Sequence, residues 1–187
     1  EEQREQTKKR NKLLYQSEHD ELTGLYNKRS LNRYLEDVFE ACKLNEKELG
    51  ILFLDIDYFK QLNDRYGHGK GDEGICAVAD TLKRIFPEDY VARYGGDEFL
   101  VVMTGRDLTY VMEHAESLCA GIRECKIPNE DSEVESWLTI SVGGVCAIPK
   151  EPNRVWDFLS AADKTLYDQK NEQKGKVRFY VGEGQYL

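Results

Sequence analysis

Apolar residues return every three or four positions over residues 31–42, as Leu31, Tyr34, Leu35, Val38, Phe39 and Cys42, with polar residues between them. This spacing predicts a helix with one buried face, opening at Ser30, a residue type suited to the N-cap. After a polar stretch at 43–48 the pattern becomes continuous. Gly50-Ile51-Leu52-Phe53-Leu54 reads as a strand covered on both faces. A short helix is expected over 59–66, then a flexible loop at Gly67-His68-Gly69-Lys70-Gly71. A second long helix follows, with Ile75, Val78, Ala79, Leu82 and Ile85 on one side, ending before Pro87. Val91-Ala92 and Phe99-Leu100-Val101-Val102-Met103 flank Arg93-Tyr94-Gly95-Gly96-Asp97-Glu98, the pattern of a β-hairpin with two acids at its tip.

Leu108, Val111, Met112, Ala115, Leu118 and Ile122 predict a third long helix. Residues 137–147 form the next strand candidate, interrupted by Gly143-Gly144, which marks either a bulge or a close backbone approach. Residues 154–170 are helical in pattern, with Val155, Phe158, Leu159, Ala162 and Leu166 facing inward, and 177–181 reads as a closing strand. Strands and helices interleave, but a hairpin sits in the middle. The fold class expected is therefore α/β of the α+β kind, a mixed sheet covered by helices and not a doubly wound parallel one. Residues 1–12 are polar throughout with mixed charge, and either a solvated connecting helix or a disordered tail fits them. Residues 1–19 are taken as a linker or signalling helix from an upstream module, and 20–187 as the domain itself.

Composition narrows the class. At 187 residues and 40% hydrophobic, with 11 Tyr and 7 Phe, the chain can bury one core of ordinary size. A formal net charge of -9 argues against a nucleic-acid polymer or an anionic membrane as partner, since both demand a basic surface. Cys42, Cys76, Cys119, Cys125 and Cys146 are scattered, and His19, His68 and His114 lie far apart, so no metal-ligand spacing appears. Free thiols in a reducing compartment, and hence a cytoplasmic location, are the simplest account. No apolar run approaches the roughly 20 residues of a membrane span. The chain opens on Glu1 and not on Met, as expected of a piece excised from a longer protein.

Asp55 and Asp57 stand at the carboxyl end of the apolar run. Acids there either emerge into water or meet a metal or hydrogen-bond partner. A second acidic pair, Asp97 and Glu98, weighs toward the latter, because strand ends from different parts of a sheet meet at one edge and oxygen-rich clusters suit Mg²⁺ or Mn²⁺. Two carboxylates from separate strands, completed by nucleotide phosphates, form a recurrent phosphoryl-transfer arrangement. Lys60 follows Asp57 by three residues and Asn63 follows Lys60 by three, which puts both near that edge on one helix face. Asp72 reads most simply as a helix N-cap, although an Asn and an Asp together can also read a guanine edge. The glycine loop has neither the G-x-x-x-x-G-K-[ST] nor the G-x-G-x-x-G pattern.

These residues carry a family resemblance. Gly95-Gly96-Asp97-Glu98-Phe99 is similar to the motif that names the GGDEF domain of diguanylate cyclases. Three further segments agree: Asp20-x-Leu22-Thr23-Gly24-Leu25-x-Asn27-Lys28-Arg29; Asp55-Ile56-Asp57-x-Phe59-Lys60-x-x-Asn63-Asp64-x-x-Gly67-His68-x-x-Gly71-Asp72; and Ala162-Asp163-x-x-Leu166-Tyr167-x-x-Lys170. The resemblance runs from about residue 20 to 180. It implies a mixed five-stranded sheet similar to the palm of nucleotidyl cyclases and polymerases. It also implies condensation of two GTP into cyclic di-GMP with release of two pyrophosphates. By position, Asp55, Asp97 and the carbonyl of Ile56 would be the metal ligands, for two Mg²⁺ or Mn²⁺ per active site. Asp97 would also orient or deprotonate the attacking hydroxyl, Glu98 would support the metal and phosphate site, and Lys60 would stabilise phosphate charge. Asn63, His68 and Asp72 would hold the nucleotide, and the backbone of Tyr58 and Phe59, with Lys170, the terminal phosphates. Asp72 favours GTP, since relatives that accept adenine tend to carry Ser there.

Each new bond joins two nucleotides held on separate domains. The resemblance therefore implies a transient homodimer with two-fold symmetry, governed by an upstream sensor through residues 1–19. Two departures stand out. Product-inhibited relatives carry Arg-x-x-Asp before the hairpin, whereas Phe86-Pro87-Glu88-Asp89 keeps the Asp and replaces the Arg, so no inhibitory site is expected; Arg84 lies two positions early. The stretch after Lys170 is about two residues longer than usual, which leaves Lys174 as an alternative phosphate ligand. The competing reading is a catalytically silent GGDEF domain that senses GTP or binds a protein. A palm-type transferase acting on polynucleotides is disfavoured by the acidic charge.

Overall fold

The computed structural model describes residues 1–182, 185 and 186. The apolar run at 51–54 is the middle of an eight-residue strand, β1 (Leu49–Ile56), buried along its whole length. It is covered on both sides because it occupies the centre of the sheet. β3 (Glu98–Thr104) and β4 (Ile140–Ala147) flank it antiparallel, β2 (Tyr90–Arg93) pairs with β3, and β5 (Val177–Gly182) runs parallel to β4. Among the described residues a two-residue strand, β6 (Gln185–Tyr186), adds to the β5 edge, giving the order β2-β3-β1-β4-β5-β6. The expected mixed five-stranded sheet is thus present, with one short addition.

Leu52, Leu54 and Ile56 of β1 face α4 (His68–Ile85) and α5 (Leu108–Glu124) in one core. Leu49, Ile51 and Phe53 face α2 (Lys28–Leu44) and α6 (Val155–Glu172) in another. Each large side chain buried this way contributes about 2 kcal/mol, so the strand carrying Asp55 is the most firmly held in the domain.

Several local features differ from the sequence pattern. Helix α2 is capped by Asn27, whose side chain accepts from the Ser30 amide at 2.9 Å. Ser30 sits inside the first turn, and its hydroxyl donates to the Glu18 carbonyl. The predicted flexible loop at 67–71 does not exist. Gly67 alone, at φ 88, makes the corner between α3 (Phe59–Tyr66) and α4, a backbone state that glycine adopts at little cost. His68 already begins α4, so Asp72 stands one turn inside that helix and caps nothing. Gly143-Gly144 is no bulge, because the β1–β4 register runs through it without interruption. It is a close approach: a Cβ on Gly143 would overlap the Leu166 nitrogen and the Ala162 carbonyl of α6, and one on Gly144 would overlap the Phe179 ring. The bare Gly143 lets α6 lie directly on the sheet, and the bare Gly144 makes room for Phe179 on the other face.

The polar N-terminal stretch is helical as α1 (Glu2–Glu18), with no buried residue. Its end joins the domain through a column of rings. Tyr15 stacks on His19 (3.9 Å), His19 on Tyr26 (4.5 Å), Tyr26 on Tyr90 (4.2 Å) and Tyr90 on Tyr34 (3.9 Å). Among the described residues no helix is long and apolar enough to cross a membrane.

Candidate active site

The β1 register puts Asp55 directly opposite Glu98 on β3 and Ser141 on β4. The Ile56 amide donates to the Asp97 carbonyl at 3.2 Å, so the hairpin tip abuts the end of β1. Acids from two strands therefore share one sheet edge. Lys170, reaching over from α6, donates to Asp55 Oδ2 at 2.5 Å. Asp55 Oδ1 is buried and, among the described residues, has no hydrogen-bond partner.

Burial pushes the Asp55 carboxyl up to about 6; the hydrogen bond and charge of Lys170 oppose the rise, and Asp97 and Asp57 add to it. Asp97 is raised by burial against its own backbone hydrogen bond and the charges of Lys170 and Arg93. Glu98 is raised by burial and by Asp97 and Asp163, against Lys28 and Lys170. Burial that lifts neighbouring carboxylates together is offset by any added positive charge. An orphaned, buried carboxylate oxygen at an all-oxygen edge suits a hard divalent cation. Among the described residues no group of three or more His, Cys, Asp or Glu is gathered tightly enough to hold an ion alone, so substrate oxygens would have to complete any such shell.

Asp57, paired with Asp55 in the sequence pattern, has hydrogen-bond partners of its own. It is 1% exposed and accepts from Thr139 Oγ1 at 2.8 Å and Ser141 Oγ at 2.6 Å. Burial raises its carboxyl, while those two hydroxyls and the charges of Lys170 and Lys174 hold it down. It faces no ligand.

The hairpin tip spans residues 94–97, closed by the Tyr94 and Gly95 amides donating to the Glu98 carbonyl. A Cβ on Gly95 would stand 2.5 Å from Glu98 Oε2, whereas Gly96 faces open space. Gly95 therefore makes room for Glu98, and Gly96 leaves the tip bare. Arg93 braces this turn by donating to the Gly95 and Gly96 carbonyls and, with Nη1, to the Asp20 carboxylate. Asp20 in turn accepts from the Thr23 amide and hydroxyl, and the Thr23 carbonyl accepts from Lys83. Sequence reasoning missed Arg93. Its position just before the glycine pair was the available signal, but its partner lies 73 residues away.

On the other flank, Tyr58 adopts a left-handed conformation (φ 53, ψ 36) at the N-cap of α3. For a non-glycine residue this costs about 1 kcal/mol, and it turns the start of α3 toward the acids. The Tyr58 hydroxyl donates to Glu133, and Lys174 Nζ lies 4.5 Å from the Tyr58 ring centre. Lys174 is thus at the turn, while Lys170 is engaged with Asp55. Asn63 on α3 points across Gly71; its Oδ1 is buried and, among the described residues, without a partner, and a Cβ on Gly71 would overlap it. Lys60, His68 and Asp72 are exposed on α3 and α4, and Lys60 forms no salt bridge among the described residues. The fold therefore brings Asp55, Ile56, Asp97, Glu98 and Lys170 into one cluster. Tyr58, Phe59 and Lys174 form a second group, and Asn63 and Gly71 a third.

A sheet-edge acid cluster beside a helix N-terminus is compatible with phosphoryl transfer. Comparison with known proteins makes this specific. The family model described as "Diguanylate cyclase, GGDEF domain" matches residues 17–176, and the chain belongs to that family. Over 167 residues it is 31% identical to the probable diguanylate cyclase DgcC of Escherichia coli K12, covering 89% of this chain and 44% of that protein. The chain therefore spans less than half the length of that relative. Its fold is similar to that of the coiled coil and GGDEF domain of DgcB from Caulobacter crescentus, crystallised with c-di-GMP (TM-score 0.86, 24% identity, 96% and 94% of the two chains). It is also similar to the diguanylate cyclase SiaD from Pseudomonas aeruginosa, crystallised with its activator SiaC (TM-score 0.77, 27% identity, 96% and 69%).

Proposed function

We propose that this chain condenses two GTP into cyclic di-GMP, releasing two pyrophosphates, in a transient homodimer of two such sites. The observation that carries the proposal is Asp55: a central strand ends in a buried carboxylate with one oxygen unpartnered and the other held by Lys170, opposite Glu98 and beside Asp97.

Asp55, Asp97 and the Ile56 carbonyl would hold the two Mg²⁺ or Mn²⁺, which when bound neutralise phosphate charge and acidify the attacking hydroxyl. Lys170 opposes the rise of the Asp55 carboxyl and moves to the terminal phosphates when substrate enters. The Tyr58 and Phe59 amides, at the positive end of α3, take those phosphates together with Lys170, and Lys60 adds charge from the next turn. Asn63 and Asp72 read the guanine edge beside His68. Asp97 takes the proton from the 3′-hydroxyl, whose oxygen attacks the α-phosphorus of the facing GTP as the bond to pyrophosphate breaks. The same exchange on the symmetric side closes the ring. One domain holds one GTP, so a second copy supplies the other half of the site. In a larger protein the domain would act as a cytosolic output, with α1 passing on the state of an upstream sensor.

The test is chromatographic. The concentrated chain is incubated with GTP and Mg²⁺ or Mn²⁺ beside Asp97→Ala, each also fused to a dimerising zipper. Cyclic di-GMP from the native chain and none from the variant is the expected result. GTP binding without product in the zipper fusion would instead establish a silent, nucleotide-sensing domain.

A further inference from the structure

A buried carboxylate held by hydroxyls and without a salt bridge among the described residues needs an account, and Asp57 is one. Among the described residues its side chain accepts only from Thr139 and Ser141. Ser141 has one hydroxyl proton, and it points at Asp57. Its oxygen is thereby left as an acceptor for the Gly175 amide, at 3.0 Å. Gly175 makes the turn between α6 and β5 at φ 78, its carbonyl is held by Arg123, and a Cβ there would stand 2.7 Å from Val134. The residue before it is Lys174, which lies over Tyr58. Tyr58 directly follows Asp57, whose own backbone is fixed by the Thr139 carbonyl at 2.9 Å and by Asn129. The Tyr58–Phe59 turn and the Lys174 turn, far apart in sequence, thus hang from one carboxylate.

We infer that Asp57 is a positioning residue: acting through Ser141, it sets the spacing between the Tyr58–Phe59 turn and Lys174, and that clamp grips the terminal phosphates of a nucleoside triphosphate. The inference rests on the GTP reading above. A carboxyl group serves here because its two oxygens each take one hydroxyl, which fixes the direction of both. The ordering passes to Lys174 through a main-chain amide, and a main-chain amide has no rotamer to lose.

Binding of 3′-deoxy-GTP, which cannot react, is compared with binding of GMP in Mg²⁺ by titration calorimetry. Ser141→Ala is expected to weaken the triphosphate about tenfold and to leave GMP unchanged. In a Lys174→Met background it should have no further effect, because both changes disable one device. Equal losses for the two ligands, or full additivity with Lys174→Met, would overturn the inference. Asp57→Asn is read by the same ratio. Hydrogen exchange of the native chain needs no variant: the Gly175 amide is expected to be protected and to slow further with 3′-deoxy-GTP, and unprotected exchange would also overturn it. A native chain that binds GMP and 3′-deoxy-GTP equally well sinks the clamp alone. One that binds neither sinks the GTP reading itself.

Discussion

Arg93 Nη1 donates to both carboxylate oxygens of Asp20, at 3.1 and 3.2 Å, and joins the hairpin tip to the turn where α1 enters the domain. The pair is mostly buried, with side chains 16% and 22% exposed. Arg93 simultaneously holds the Gly95 and Gly96 carbonyls. One guanidinium thereby connects the turn after α1 to the residues beside Asp97, without passing through the sheet.

Asp20→Ala should therefore damage catalysis more than its distance from the reacting atoms suggests. Losing the pair costs about 2 kcal/mol, a fall in Tm of about 6 °C for a domain of this size. A loosened tip should lower kcat by roughly tenfold or more. A melt and a cyclase assay on one preparation check this, and an unchanged kcat beside a lowered Tm would reduce Arg93 to a structural brace. Burial raises the Asp20 carboxyl, but the Thr23 hydroxyl and amide and Arg93 outweigh it and hold the group below its ordinary value. The stabilisation is therefore present at neutral pH and lost as pH falls through that lowered value.

Gly71→Ala separates fold from function. Gly71 lies inside α4, where alanine is favoured by about 1 kcal/mol. Its Cβ would, however, overlap Asn63 Oδ1 and stand 3.2 Å from the Phe59 ring. The expected outcome is a Tm near the native value with GTP affinity lowered about tenfold, as for one lost hydrogen-bonded contact to the base. Native affinity in the variant would remove Asn63 from the nucleotide site.

The metal-free protein should record the Asp55 shift in its stability. With a folded value of about 6 against 3.8, the native state holds a proton that the unfolded chain releases. This contribution is fully present below pH 3.8 and disappears as pH rises to about 6. Asp55→Asn cannot titrate, and Lys170, 30% exposed, tolerates losing its partner. The Tm of the variant minus that of the native chain should climb between those limits and level off above them. A flat difference would mean that Asp55 titrates normally.

What the sequence made legible was local or repeated. Strand-end acids after an apolar run, and a glycine pair between two β-forming runs, are patterns of neighbouring residues, and both led to the acid edge at Asp55 and Asp97. Contacts across the chain were not legible. The Arg93–Asp20 pair, the hydroxyl partners of Asp57 and Lys174 over Tyr58 each join segments far apart in the chain. The glycines misled most at 67–71, where composition suggested a loop. One residue with positive φ turned the chain, and Gly71 lets α3 and α4 pack together. At Gly143 two outcomes were open, and the backbone of α6 on that glycine decided between them.

The inhibitory site should be absent. Phe86, where product-inhibited relatives carry Arg, is 1% exposed at the end of α4, its ring 5.9 Å from that of His114. Arg84 cannot substitute: its Nη2 would lie 3.0 Å from a Cβ on Gly121, which places it along α5. Asp89 is left half-buried, raised by burial against Arg106 and His114, with Oδ2 unpartnered among the described residues. Calorimetry on Asp97→Ala protein is expected to find no tight cyclic di-GMP binding. Tight binding that vanished with Asp89→Ala would overturn the assignment. Restoring the motif by Phe86→Arg should fail as well, because a guanidinium would replace a core ring. A loss of about 3 kcal/mol or more is expected from burying that charge, visible as a fall in Tm before any ligand is added.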